Sequence, residues 1–249
     1  MGVIPARFSS SRFPGKVLAL ISSKTMLQHV YERASQARYL SSTIIATDDA
    51  TVYSVAKKFG ARVVMTRPDH PSGTDRVAEV ASTENAEIVV NIQGDEPLID
   101  PAAIDTAILP LAHEPDVLMA TLKKRIENPH EITNPNVVKV VTDAKGDAIY
   151  FSRCPIPYVR QESGRPAASP YFKHIGLYVY RRDFLLRYSA LPVGPLERAE
   201  RLEQLRAIEN GFRIRVVETE YESLGVDTPE DLERVSRLAE AVSLERVGE

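Results

Sequence analysis

Apolar positions along this chain fall into two alternating rhythms. Short β-branched runs read as buried strands: "STIIATDD" (42–49), "ARVVMT" (61–66) and the start of "AEIVVNIQGDEP" (86–97), each running into a polar end. Between them the spacing is helical. Met26, Leu27, Val30, Tyr31 and Ala34 share a stripe, "ATVYSVAKKFG" is stopped by Gly60, and "SGTDRVAEVAS" supplies a third helix. Strand–helix–strand repeated at this interval predicts an α/β fold, a Rossmann-like and mostly parallel sheet with helices on both faces. In such sheets ligands bind beyond the carboxyl ends of the strands, so the polar turns after these runs are expected to converge.

The rhythm changes near residue 130. "VVKVVTDAKGDAIYFSR" reads as a hairpin around Asp143-Ala144-Lys145-Gly146, followed by a Pro- and Ser-rich loop (155–170) and the strand "YFKHIGLYVY". Residues 130–180 are therefore expected to form an antiparallel insertion within a single α/β domain spanning 1–249, placed to cover a site or pair subunits. "PLERAERLEQLRAIENG" predicts one helix ending at Gly211, and "FRIRVVETE" a further strand. "TPEDLERVSRLAEAV" predicts a helix with Thr228 as N-cap, Pro229 at N1 and Asp231 at N3.

Composition narrows the function classes. With 249 residues, 43% hydrophobic and 26% charged, the chain is an ordinary globular one, and its net charge of −3 gives no global field for nucleic acid or an anionic membrane. No apolar run is long enough to span a bilayer and no secretory pattern opens the chain. Cys154 is the only cysteine, which excludes an intrachain disulfide and suits a reducing cytoplasm. The five histidines are scattered without metal-ligand spacing. Any anion binding must be local.

One stretch offers it. "VIPARFSSSRFPGK" (3–16) places Arg7, Arg12 and Lys16 on a loop after the first strand with no acidic neighbour, a suitable cradle for a triphosphate, with backbone N–H groups around Gly15 completing a nest. The plain alternative is a solvated loop. "NIQGDEP" puts Asp95 at a strand end, with Gly94 permitting close backbone approach to a ligand, or else forms an ordinary turn. "GVDTPEDL" sets Asp227 before the last helix, where helix-start electrostatics would also explain it. The two carboxylates together could share one Mg²⁺. In "TRPDHPSGTDR", carrying Arg67 and Arg76, Ser72-Gly73-Thr74 could read the polar edge of a base or simply cap a helix. Glu203 and Gln204 could bind sugar hydroxyls, against the alternative of a surface helix with pairs such as Glu197–Arg201.

Taken in order, "IPARFSSSRFPGK", "ATDD", "TRPDHPSGTDR", "NIQGDEP", "NPNVVKVV", "YFSR", "HIGLYVY", "PLERAERLEQLR" and "GVDTPEDLERV" resemble the 3-deoxy-manno-octulosonate (Kdo) cytidylyltransferases over nearly the whole chain. The resemblance implies a nucleotide-diphospho-sugar transferase fold and a homodimer with the inserted sheet at its interface. It implies transfer of CMP from CTP to the acid sugar Kdo, with Mg²⁺, for lipopolysaccharide assembly. At matching positions Arg7, Arg12 and Lys16 would hold the triphosphate. Arg67, Ser72, Gly73 and Thr74 would face the cytosine, and Asp95 and Asp227 would ligate Mg²⁺. Gln93, Arg153, His174, Tyr178, Glu203 and Gln204 would surround Kdo. Three departures stand out: only four residues precede Pro5, Asp75 replaces a usual Glu, and "FSRCPIPY" varies the segment after Arg153. The rival readings are a cytidylyltransferase for 8-amino-Kdo or sialic acid, and a nucleotide-binding regulator without catalysis.

Overall fold

A computed structural model of the chain describes residues 1–8, 13–160 and 170–247, with side chains described as far as residue 240. The chain divides into two compact units, Met1–Asp105 with Ser223–Glu249, and Thr106–Glu222. The first opens with β1 (Gly2–Pro5), a single 3₁₀ turn at Lys16–Leu18, and a two-strand ribbon of β2 (Leu20–Ile21) and β3 (Lys24–Thr25). It continues through α1 (Met26–Ala34), β4 (Thr43–Thr47), α2 (Ala50–Lys58), β5 (Arg62–Met65), α3 (Gly73–Thr83) and β6 (Ile88–Asn91). Helix α4 (Pro101–His113) leads into the second unit: β7 (Met119–Arg125), α5 (Pro129–Thr133), β8 (Lys139–Thr142), β9 (Ala148–Ser152), β10 (Phe172–Arg181), α6 (Arg182–Tyr188), α7 (Pro195–Glu200), α8 (Leu205–Glu209) and β11 (Arg215–Glu218). The chain then returns to the first unit through α9 (Pro229–Val247).

In the first unit β1 pairs in parallel with β4 and β6, and β4 with β5. The β-branched runs build its core: Val3, Ile4, Ile44 and Ile45 are fully buried, each such side chain stabilising the fold by about 2 kcal/mol. Short polar side chains start the helices where the sequence places them. Thr25 accepts from the Gln28 amide, Asp49 from those of Thr51 and Val52, and Ser72 from that of Asp75. Gly60, at φ +80°, ends α2. Strand β1 is four residues long, and Met1 extends its pairing: the amino group donates to the Ile88 carbonyl at 2.9 Å and the Met1 carbonyl accepts from Val90 at 2.8 Å. Because the four strands run parallel, the turns after them share one edge, and these turns carry Arg7, Asp48, Arg67, Gln93 and Asp95.

In the second unit β10 is antiparallel to β7, β11 is parallel to β7, and β8 joins β10 to β9. The expected hairpin forms, with Gly146 at φ +83° and the Asp143 amide donating to the Asp147 carbonyl at 2.9 Å. A β-bulge lies between Ile175 and Tyr178, spanning Gly176 and Leu177. The Thr121 hydroxyl fills it, 2.8 Å from the Leu177 carbonyl, and takes a contact of 2.9 Å from His174 Nε2. A hydroxyl with one proton to give a carbonyl must accept from the ring, so Nε2 carries the hydrogen. The partly buried imidazole packs between the rings of Phe151 and Tyr178.

Helix α4 and strand β7 are absent from the sequence reading. Residues 101–113 are apolar around most of the helix and contain Pro110, so no stripe stands out against a polar face.

The predicted helix 195–211 is two helices. Arg201, at φ +53°, ends α7 in the left-handed region, and α8 restarts at Leu205. Tertiary pairing overrides the helical pattern here. The reversal lets Glu209 accept from the amides of Leu196 and Glu197 at the start of α7, at 2.8 and 3.0 Å. Its carboxylate lies 2.2 Å from where a Cβ on Gly194 would sit, so a side chain there would displace the cap. It also lets Arg206 grip Glu197 in a fork of 2.8 and 2.6 Å, with both side chains nearly buried. The expected Glu197–Arg201 pair is thus replaced by Glu197–Arg206.

Glu197→Ala leaves the Arg206 guanidinium buried without its carboxylate and should cost about 3–5 kcal/mol in urea unfolding. A loss under about 1 kcal/mol would mean the pair is structurally neutral. Burial lowers the His174 pKa from 6.5 to about 3, so between those values the unfolded chain binds a proton that the folded one does not. Stability is therefore complete above 6.5 and falls as pH drops through that window, by at most about 1.4 kcal/mol per pH unit. His174→Gln should remove this contribution from the difference in urea midpoint between pH 7 and pH 5. An identical pH dependence in the variant would refute it.

Candidate active site

Three residues far apart in sequence meet in the first unit. The Lys16 ammonium donates to Asp95 Oδ2 at 2.7 Å, to Asp227 Oδ1 at 3.0 Å and to the Val226 carbonyl at 3.1 Å. Local folding delivers each. Gly15, at φ +70°, turns the chain into the 3₁₀ segment that carries Lys16. Asp95 follows β6, and the Val226 amide donates to its carbonyl at 2.9 Å, tying the last connection to the end of that strand. Asp227 precedes α9, whose start is closed by Thr228 and Asp231: the Asp231 amide donates to Thr228 Oγ1, and Asp231 Oδ2 accepts from the Asp227 and Thr228 amides. Burial pulls the lysine pKa down, but Asp95 and then Asp227 outweigh it and the net shift is upward, so the site holds a firm cation between two anions. Lys16 is 13% exposed, Asp95 32% and Asp227 45%, so the carboxylates open to solvent on the side away from the ammonium.

Two expectations for this loop change. The Gly15 and Lys16 amides already donate to the carbonyls of Phe8 and Phe13, so they complete no anion nest. The close approach at Gly94 is to the chain itself, since a Cβ there would stand 3.0 Å from the Pro5 carbonyl oxygen. Arg12 lies outside the described residues.

Along the same edge, Arg7 Nη2 donates to the His70 carbonyl at 2.6 Å, and His70 Nε2 is hydrogen-bonded to Glu79. Arg67 is exposed and loosely paired with Asp69 at 3.6 Å. Ser72 is the N-cap of α3, with its hydroxyl donating to Asp75 Oδ2 at 2.7 Å, so the capping alternative describes what it does here. Gly73 lies against the Pro5 ring, and Thr74 is buried with Asn91 Nδ2 at 3.4 Å. The sequence reading missed Asp48 and gave Arg76 no role, although both stand in the motifs "ATDD" and "SGTDR". Arg76 is fully buried, bonded to Thr66 Oγ1, with Nη2 3.0 Å from Asp48. Arg7 Nε, Arg76 Nε and Asn91 Oδ1 are buried without hydrogen-bond partners. Unpaired polar atoms on elements that end at one edge mark that edge for a polar ligand. Gln93 follows β6 at the same strand end.

In the second unit the remaining candidates group around β9, β10 and the α7–α8 turn. His174 and Tyr178 stack at 5.4 Å between ring centres. Burial, with Glu203 adding to it, raises the Tyr178 phenol, so both rings are neutral near pH 7. Gln204 is 4% exposed and its Nε2 has no partner, a donor available to a ligand. Glu203 lies in the turn whose carbonyl accepts from the Tyr188 hydroxyl at 2.7 Å. Arg153 is held through main-chain carbonyls: Nε to Glu200 at 2.7 Å and Nη1 to Pro135 at 2.9 Å. No carboxylate neutralises its guanidinium through these bonds. Thr121, which fixes the His174 tautomer, went unnoticed in sequence because a hydroxyl at a bulge has no local signature.

The chain can now be set beside known proteins. The family model described as cytidylyltransferase matches residues 1–216. A 3-deoxy-manno-octulosonate cytidylyltransferase of Solibacter usitatus is 79% identical over 248 residues, covering 100% of this chain and 97% of that protein. The corresponding protein of Geobacter sulfurreducens is 58% identical, covering 94% and 96%. A solved CMP:2-keto-3-deoxy-manno-octonic acid synthetase complexed with CTP superposes with a TM-score of 0.90 at 46% identity, over 96% of this chain and 98% of that one. A 4-diphosphocytidyl-2C-methyl-D-erythritol synthase from Anaerococcus prevotii, 11% identical with a TM-score of 0.63 over 96% and 97% of the chains, shares the fold alone. The parallel sheet, the cation between the carboxylates of Asp95 and Asp227 and full-length identity of this degree lead to one assignment: the chain belongs to the 3-deoxy-manno-octulosonate cytidylyltransferase family.

Proposed function

We propose that this chain transfers CMP from CTP to Kdo, releasing diphosphate and activating the sugar for lipopolysaccharide assembly. The observation that carries the reading is the meeting of Lys16, Asp95 and Asp227 at one point beside the strand ends, in a chain 79% identical to a Kdo cytidylyltransferase. In the reaction the anomeric hydroxyl of Kdo attacks the α-phosphorus of CTP. A new O–P bond forms, the bridging bond to the β-phosphate breaks, and diphosphate departs with the electron pair while the hydroxyl loses its proton. Little covalent work falls to the protein, so positioning and charge neutralisation dominate.

Arg7, Arg12 and Lys16 lend positive charge to the triphosphate, whose own charge near neutral pH is about −4. Lys16 acts through its field, because its three protons already go to Asp95, Asp227 and the Val226 carbonyl. Arg67 with the Ser72–Thr74 turn faces the base, and the unpaired Arg7 Nε and Asn91 Oδ1 suit polar ligand atoms. Arg153, His174, Tyr178, Glu203 and Gln204 of the second unit bind the acid sugar, the role that the resemblance also gives to Gln93. The unpaired Gln204 amide suits a sugar hydroxyl and the uncompensated Arg153 its carboxylate.

The residues present fit Mg²⁺. Two carboxylates converge within 3.0 Å of one cationic centre and stay partly open to solvent, and among the described residues no third carboxylate, His or Cys completes an all-protein cage. That is the donor set of an ion that takes its remaining oxygens from phosphate and water. When bound, the ion supplies charge neutralisation at the α-phosphate and lowers the pKa of a coordinated hydroxyl. Asp95 and Asp227 would hold it, and Lys16 keeps the two carboxylates from repelling each other.

We further propose a homodimer that uses the hairpin region, where Ile149 is 57% and Tyr158 90% exposed. A cytoplasmic setting suits the exposed free thiol of Cys154, and no described helix is long and apolar enough to cross a membrane.

Pyrophosphate release measured with CTP, Mg²⁺ and each of Kdo, 8-amino-Kdo and N-acetylneuraminate tests the reading. Release with Kdo is expected; release only with another acid would reassign the sugar, and none with any would refute the activity. Asp95→Asn and Asp227→Asn should each lower turnover by about 10² or more while CTP binding changes far less. Near-wild-type turnover in both would remove the metal assignment.

A further inference from the structure

The β8–β9 hairpin contains a buried cation that the proposed chemistry does not use. Lys139 is 0% exposed, and its ammonium donates to three main-chain carbonyls: Asn134 at 2.9 Å, Val137 at 2.6 Å and Arg153 at 2.7 Å. All three protons go to neutral oxygens, so the bonds satisfy the donors and leave the charge. Burial holds this amine below the usual lysine range, a sign of what its desolvation costs. An apolar side chain there would leave these carbonyls without their donor, so the ammonium is what ties the three segments together. The carbonyls it gathers indicate what it serves.

Asn134 and Val137 form the turn after α5, where the Val137 amide donates to the Asn134 carbonyl at 3.1 Å. Arg153 stands at the end of β9 and reaches back to the same turn, Nη1 to the Pro135 carbonyl at 2.9 Å. Lys139 and Arg153 therefore cross-brace one turn, the first through its ammonium, the second through its guanidinium. On its other side Arg153 is bonded twice to the end of α7. Its amide donates to Glu200 Oε2 at 3.0 Å and its Nε to the Glu200 carbonyl at 2.7 Å. Ser152 adds a bond of 2.6 Å to Glu200 Oε1. From there the chain turns at Arg201 into Glu203 and Gln204.

We infer that Lys139 is a positioning residue for acid-sugar binding: its ammonium fixes the Arg153 main chain against the 134–137 turn and, through Arg153, the end of α7 that presents Glu203 and Gln204. The inference rests on the sugar role proposed for those three residues.

A double-mutant cycle on the full-length protein tests it, with Lys139→Met, Arg153→Met and the combination. The KM for Kdo, the KM for CTP and kcat are measured, with a thermal scan to verify folding. Lys139→Met should raise the KM for Kdo by about 10-fold while that for CTP stays within about twofold. The double variant should be no worse for Kdo than Arg153→Met, because the brace acts through Arg153. Parallel rises in both KM values, or losses that add in the double variant, would overturn the inference. A Kdo-specific defect in Arg153→Met with none in Lys139→Met would overturn it alone. An unchanged KM for Kdo in Arg153→Met would overturn the sugar reading and this inference together. Where the Met variant does not fold, Lys139→Gln, which keeps a donor toward the carbonyls, takes its place in the same cycle.

Discussion

The Lys16 ammonium is the interaction that holds the first unit's strand-end cluster together. Asp95 and Asp227 would repel if brought together alone, and nothing in their local sequences holds them in register. The lysine resolves that by giving one proton to each carboxylate and the third to the Val226 carbonyl. The desolvation of a nearly buried ammonium is offset because both partners are anionic, which is why its pKa rises in spite of burial. The result is a focus of fixed charge at the edge where four parallel strands end.

The second unit solves a different problem with similar means. It holds neutral aromatic surface beside cations that bond to main-chain carbonyls. Thr121 occupies the bulge in β10 and fixes the His174 ring, while Lys139 and Arg153 direct their donors to main-chain carbonyls in place of carboxylates. Carbonyls satisfy hydrogen bonds without cancelling charge. The acid-sugar site proposed for this unit would need that combination, since a carboxylate partner for each cation would neutralise the attraction. The reversal at Arg201 belongs to the same design, as it turns Glu203 and Gln204 out of a continuous helix. Its left-handed backbone is offset by the Glu197–Arg206 fork and the Glu209 cap.

Much of this was legible in the chain because it depends on neighbours in sequence. Strand and helix periods are local, and so are the caps at Ser72 and Thr228, the stop at Gly60 and the hairpin at Asp143–Gly146. The basic opening loop and the strand-end acids were visible for the same reason: polar residues that follow a buried run must sit at a sheet edge. What the local pattern concealed were features set by distant partners. Helix α4 lacks a polar face, and residues 195–211 have the right stripe for one helix.

By itself the sequence determined the parallel architecture, the set of charged residues at its edge and, through motifs in order, the family. Only the tertiary structure decided how those charges are used. It set Lys16 between two carboxylates, directed the Gly15 amide inward to Phe8, committed the Ser72 hydroxyl to a cap and bound Arg153 to carbonyls. The physical reason is range. Hydrophobic period and turn chemistry act over a few residues, whereas an ion pair or a buried donor is satisfied by whichever group the fold brings within about 3 Å, and the sequence does not record that distance.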